Sequence, residues 1–147
     1  MEKRDLVRFL DEIFIPLGFK RKGNNWVLNS EELSKLINLQ KSNYSNAFYI
    51  NYGYVIKGLE LTTTMHVEDR LASSEKEEQK RITNLLDFEL EMPMDQRLIE
   101  LKKIIISNIV VRMQSVNTSG DLLNALNKRT NLNDISLVVK RYFHLLK

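Results

Sequence analysis

From Phe48 to Ile56 the chain alternates without a gap: Phe48, Ile50, Tyr52, Tyr54 and Ile56, with Tyr49, Asn51, Gly53 and Val55 between them. Successive strand side chains point to opposite faces, so a period of two held this long specifies a half-buried β-strand in a fixed register. The segment Ala47–Lys57 therefore anchors a sheet, and the rest of the chain must supply its partners and its cover.

Before this strand the period is helical. Leu6, Phe9, Leu10, Ile13, Phe14 and Leu17 fall on one face of a 3.6-residue repeat. Pro16 lacks an amide hydrogen and crowds the preceding turn, so the helix is expected to end near Ile15. Gly18 and Gly23-Asn24-Asn25 then punctuate the chain. Trp26–Leu28, Leu33–Lys41 and Leu59–Val67 read as further strands, giving an antiparallel meander of three to four strands joined by short connections. Beyond them the pattern returns to helices. Ser74-Glu75-Lys76-Glu77 fits a capping box, Pro93 opens a long apolar segment from about Asp95 to Val116, and Asp121–Lys128 makes a short helix. A final helix, capped by Asn131 or Asn133, carries Ile135, Val138, Val139, Tyr142, Phe143 and Leu146. The β-branched run inside Ile104–Val111 leaves helix and strand both open there. The fold class is α+β: one domain over residues 1–147, with an N-terminal helix, an antiparallel sheet and C-terminal helices packed on it.

Composition narrows the chemistry. Zero cysteines in 147 residues exclude disulfides, thiol nucleophiles and thiolate zinc sites. Two histidines are too few for most histidine metal sites, and no cofactor or metal is expected. The net charge of +3 is spread over both halves rather than gathered in a basic arm. The charged N-terminus and the broken apolar run Leu98–Met113 give neither a signal peptide nor a membrane span, so a cytoplasmic protein is expected. Walker, GxGxxG, GxSxG and HExxH motifs are absent.

The candidate site is the sheet face opposite the core. Alternation turns Asn38, Gln40, Ser42, Tyr49, Asn51, Gly53, Thr64, His66 and Glu68 outward. Amides and hydroxyls dominate this set; they recognise a peptide edge or a polar ligand without carrying charge. Glycine inside a strand marks a bulge or a close backbone approach, which draws attention to Gly53. The ordinary alternative is a solvated sheet face, the usual condition of an antiparallel sheet. His66 and Glu68, beside Gln40 and Asn51, define a rival site for a small ligand or a hydrolase-like reaction. A lone histidine near carboxylates is more often structural. Lys20, Arg21 and Lys22, with Lys140, Arg141, His144 and Lys147 near the C-terminus, define a third reading: a nucleic-acid surface. The long apolar segment also leaves a homodimer interface open.

Two stretches carry a family resemblance. They are Pro16-Leu17-Gly18-Phe19-Lys20-Arg21-Lys22-Gly23-Asn24 followed by Trp26, and Ile37-Asn38-Leu39-Gln40-Lys41-Ser42 with Phe48-Tyr49-Ile50-Asn51-Tyr52-Gly53. In them the chain resembles a bacterial group known as domain-of-unknown-function family 4304. The resemblance implies a small soluble α+β protein and supplies no activity, cofactor or catalytic residue. The expectation from the residues is a non-enzymatic interaction module, adaptor- or immunity-like, that binds a protein partner through the polar sheet face.

Overall fold

The structure, a computed structural model, describes residues 1–145. Helix α1 (Lys3–Phe14) buries Leu6, Phe9, Leu10, Ile13 and Phe14, the stripe its sequence lays down. The Asp5 carboxylate accepts the Glu2 amide at 2.9 Å and closes its first turn. A 3-10 turn over Ile15–Leu17 contains Pro16, and Gly18 stops it at φ 98°, a left-handed conformation that glycine adopts without steric cost.

Five strands come next, where three to four were expected. They are β1 (Lys20–Lys22), β2 (Asn25–Asn29), β3 (Leu33–Lys41), β4 (Phe48–Ile56) and β5 (Val67–Arg70). They lie side by side in chain order, each antiparallel to the next. Two of the strands were not expected: β5 and, formed by the basic triplet, β1. Strand β1 pairs on one side only, so it can form without an apolar residue. The strand expected at Leu59–Val67 is a loop, and pairing with β4 begins only at Val67. The loop is held by His66 and Thr63, whose hydroxyl donates to the Met65 carbonyl at 2.8 Å.

Trp26, Leu33, Ile37, Leu39, Ile50, Tyr52, Tyr54 and Ile56 share one sheet face and sit in the core. The helices cover this face. From α1, Asp11 accepts Trp26 Nε1–H at 2.8 Å. Helix α2 (Lys76–Leu85) starts one residue later than the capping box implied: Glu75, not Ser74, is the cap, and its carboxylate accepts the Glu77 and Glu78 amides. The long apolar segment is helical, including Ile104–Val111. It comprises α3 (Met94–Ile105), a π-helical turn (Ile106–Val110) and α4 (Val111–Gln114). Leu101, Ile105, Ile109, Val110 and Met113 are buried, whereas Ile99, Ile106 and Val111 are exposed. Two short helices finish the layer, α5 (Ser119–Asn127) and α6 (Leu137–Tyr142). The cap of α6 is Ser136 rather than either asparagine; Asn131 instead accepts the Asn133 amide at 3.0 Å. Leu146 and Lys147, placed by the sequence in the last helix and the basic cluster, lie outside the described residues. Among the described residues no helix is long and apolar enough to cross a membrane.

Candidate functional site

The sheet face turned away from the helices is built by strand alternation in β2 to β5. Register aligns Asn25, Asn38, Asn51 and Arg70 in one row across four strands. Their side chains bond in sequence. Arg70 Nε donates to Asn51 Oδ1 at 3.1 Å, Asn51 Nδ2 donates to Asn38 Oδ1 at 3.1 Å, and Asn38 Nδ2 donates to Asn25 Oδ1 at 2.8 Å. Gln40, one pair along β3, joins them: its Oε1 accepts Asn51 Nδ2 at 3.0 Å and Arg70 Nη2 at 3.1 Å. All donors run from the arginine end toward Asn25, so each bond polarises the next.

Arg70 is the group that sequence reasoning missed. Its guanidinium lies 4.0 Å above the centre of the Tyr49 ring, a cation–π stack. Its other partners are the two neutral amides, and among the described residues it has no ion pair. The signal was present in the sequence: Arg70 stands two residues after Glu68 and shares its face. Around the row lie Val27, Leu36 and Val55, all partly exposed.

The other expected residues divide clearly. Asn38, Gln40, Tyr49, Asn51, Gly53 and Glu68 are on this face. Ser42 sits at the rim in the β3–β4 turn, where its hydroxyl accepts the Tyr44 amide at 3.2 Å. A Cβ on Gly53 would fall 1.9 Å from the Val67 carbonyl oxygen, so glycine is there for the close approach of β5. Thr64 is an exposed residue of the 57–66 loop. His66 turns inward and is 6% exposed. Its Nδ1 accepts the Ile56 amide at 2.8 Å, which leaves the ring hydrogen on Nε2 facing the Glu60 carbonyl at 2.7 Å. It fastens a loop; it does not join Glu68, Gln40 and Asn51 in a cleft. Among the described residues no group of three or more metal-ligating side chains gathers.

The basic triplet is only partly free. Arg21 Nε donates to Asp11 at 3.0 Å, and Arg21 Nη1 donates to the Gly23 carbonyl at 3.3 Å. Asp11 thus ties both Arg21 and Trp26 to α1.

Comparison with known proteins adds one assignment. No curated protein and no solved structure matches this chain. A family model does match, over residues 10–115, a span that holds the whole sheet and the amide–arginine row. The chain belongs to the family described as domain of unknown function DUF4304.

Proposed function

We propose that this chain is a non-enzymatic binding module whose partner is a protein that presents a carboxylate to Arg70 on the open sheet face. One observation carries the reading: a guanidinium fixed by a tyrosine ring and two amides, with no acid of its own. Arginine and tyrosine are the residues that most often dominate binding energy at interfaces. A guanidinium already held flat loses little rotamer entropy on docking, and its remaining N–H groups match a carboxylate. The four amide oxygens are all engaged within the row, so they hold the arginine in place without needing the partner. Val27, Leu36 and Val55 supply apolar area beside it. The engagement of His66 in two structural bonds supports a binding role over catalysis. Nucleic-acid binding draws less support, because Arg21 is tied to Asp11. An adaptor- or immunity-type role in the cytoplasm fits this reading.

The test is capture from a cell lysate with three proteins: wild type, Arg70→Glu, and Lys3→Glu, which makes the same charge change on exposed α1. The expected result is one stoichiometric partner retained by wild type and Lys3→Glu. Arg70→Glu should bind it at least about tenfold more weakly, the scale of losing one charge-assisted contact. Equal retention by Arg70→Glu, equal loss in Lys3→Glu, or no stoichiometric partner under several growth conditions would overturn the proposal.

A further inference from the structure

On the helical side of the sheet a cleft of about 730 Å³ opens between β4, β5 and the α4–α5 corner. Its size is that of a small-molecule site. Tyr52 and Tyr54 form its floor, and Asp69, Arg112 and Arg129 stand around them. None of the open-face residues around Arg70 lines it.

The hydrogen bonds show which of these groups are already used. Both Asp69 oxygens accept Arg129 Nη2, at 3.0 and 2.9 Å. Asp121, also in the wall, is turned to the Asn117 and Thr118 amides at 2.9 and 3.1 Å. Both acids are therefore occupied. Arg112 is not: among the described residues it has no ion pair, and its side chain makes one hydrogen bond, from Nη1 to the Tyr52 oxygen at 3.2 Å. In that bond the phenol accepts, so its own hydrogen remains to be donated. The Tyr54 hydroxyl has no hydrogen-bond partner among the described residues; the residue is 5% exposed, and its oxygen is open to the cleft. A phenol is a protonated donor at neutral pH, and burial raises both further, with Asp69 adding to the effect and Arg112 opposing it. The result is a guanidinium and two phenol hydrogens facing one space, in which Asp69 is paired with Arg129 and Asp121 is held by two backbone amides.

The backbone contributes to this arrangement. The π-helical turn Ile106–Val110 interrupts the helix just before Arg112. Such a turn holds one residue more than an α-turn and rotates the next stretch of helix by about 100°. Here Ile109, Val110 and Met113 all stay buried while Arg112 reaches Tyr52.

We infer that this cleft is a small-molecule oxyanion site, which takes a carboxylate or phosphate group between Arg112, Tyr52 and Tyr54. The site is separate from the partner surface at Arg70, and the two stand or fall independently.

The test is an NMR titration of the full chain with sodium phosphate and, separately, sodium acetate, at ionic strength held constant with sodium chloride. The expected result is a saturable shift of the Ser115, Ala125 and tyrosine-ring signals, with a Kd of about 1 mM or tighter. The tighter of the two probes names the source of the head group. Arg112→Gln should weaken binding at least about tenfold. Tyr54→Phe removes a hydroxyl without a partner, so it keeps the fold intact and should weaken binding about threefold or more. Arg70→Gln, on the opposite face, should leave the titration unchanged. No saturable shift with either probe up to about 100 mM, or wild-type affinity in Tyr54→Phe or a folded Arg112→Gln, would overturn the inference. So would loss of binding in Arg70→Gln.

Discussion

Arg97 is the most demanding test of how the helical layer is held. It lies on α3 and is 2% exposed, yet it has no acidic partner among the described residues. Its guanidinium faces backbone instead. Nη1 donates to the carbonyls of Asn84, Leu85 and Asp87 at 3.3, 2.7 and 3.0 Å, and Nη2 donates to Leu90. The last carbonyls of any helix lack intrahelical donors, and Arg97 supplies them for α2 and the turn after it. The Phe88 ring lies 5.1 Å away. Arg97→Met keeps most of the apolar stem and removes all four hydrogen bonds. The Leu85 carbonyl is fully buried and bears the full penalty of about 1–3 kcal/mol; the Asn84 and Asp87 carbonyls keep backbone amide donors, and the Leu90 carbonyl is nearer the surface and regains part of its solvation. Against this, methionine relieves the burial of a charge, which already pulls the Arg97 pKa down, and removes an Nε that is buried without a partner. The net loss should be about 2–3 kcal/mol. Arg97→Lys, with three donors on a point charge, should recover about half of it. Urea unfolding followed by circular dichroism measures both, with an unchanged m-value confirming that only stability moved. A loss below about 0.5 kcal/mol for Arg97→Met, the range of ordinary surface changes, would refute the capping argument.

Two further outcomes concern the sheet. Gly53→Ala puts a methyl group against the Val67 carbonyl, so β5 must shift; thermal unfolding should show a cost of at least about 2 kcal/mol, and a neutral result would mean the strands do not approach as described. Lys35, buried on the core face of β3, donates to the Met113 carbonyl at 2.5 Å and to Asn117 Oδ1 at 2.8 Å. Burial lowers its pKa from the usual 10.5, with Asp121 opposing the shift. The charged amine is therefore penalised in the folded state, and the unfolded chain holds more protons between the lowered value and 10.5. Wild-type stability relative to Lys35→Met should rise as pH climbs through the lowered Lys35 value toward 10.5 and level off above it. Tyr52 and Tyr54, raised by burial, act in the opposite direction above pH 10.0 in both proteins and cancel in the difference. A flat or falling difference in urea titrations across that range would contradict the assignment.

Periodicity revealed the centre of the fold and missed its edges, for physical reasons. In β3 and β4 one face is buried and the other open, so alternation is enforced, and it placed Asn38, Gln40, Tyr49 and Asn51 correctly. Strand β1 carries only Lys20, Arg21 and Lys22; as an edge strand it pairs on one side and its side chains stay in water. The alternation of Leu59–Val67 is genuine but not a strand. The His66 ring takes the Ile56 amide and pulls the segment into a loop, leaving Leu61 exposed. Ile104-Ile105-Ile106 has strand propensity, yet burial of Leu101, Ile105 and Ile109 along one side makes it helical. The Arg112–Tyr52 bond joins residues 60 apart in the chain, so no local pattern announces it. Arg70 stood beyond the end of the expected strand, and with it the positive charge on the open face.

Site-specific photo-crosslinking would show which side of the sheet meets a partner. A photoreactive residue would replace Val27 or Val55 on the open face and Ile99 or Leu137 on exposed positions of the helical layer. Val27 and Val55 should crosslink the same partner, at an acidic stretch of its surface, and Ile99 and Leu137 should crosslink none. Crosslinks to that partner from the helical positions alone would place the interface on the other side of the sheet and contradict a partner surface at Arg70.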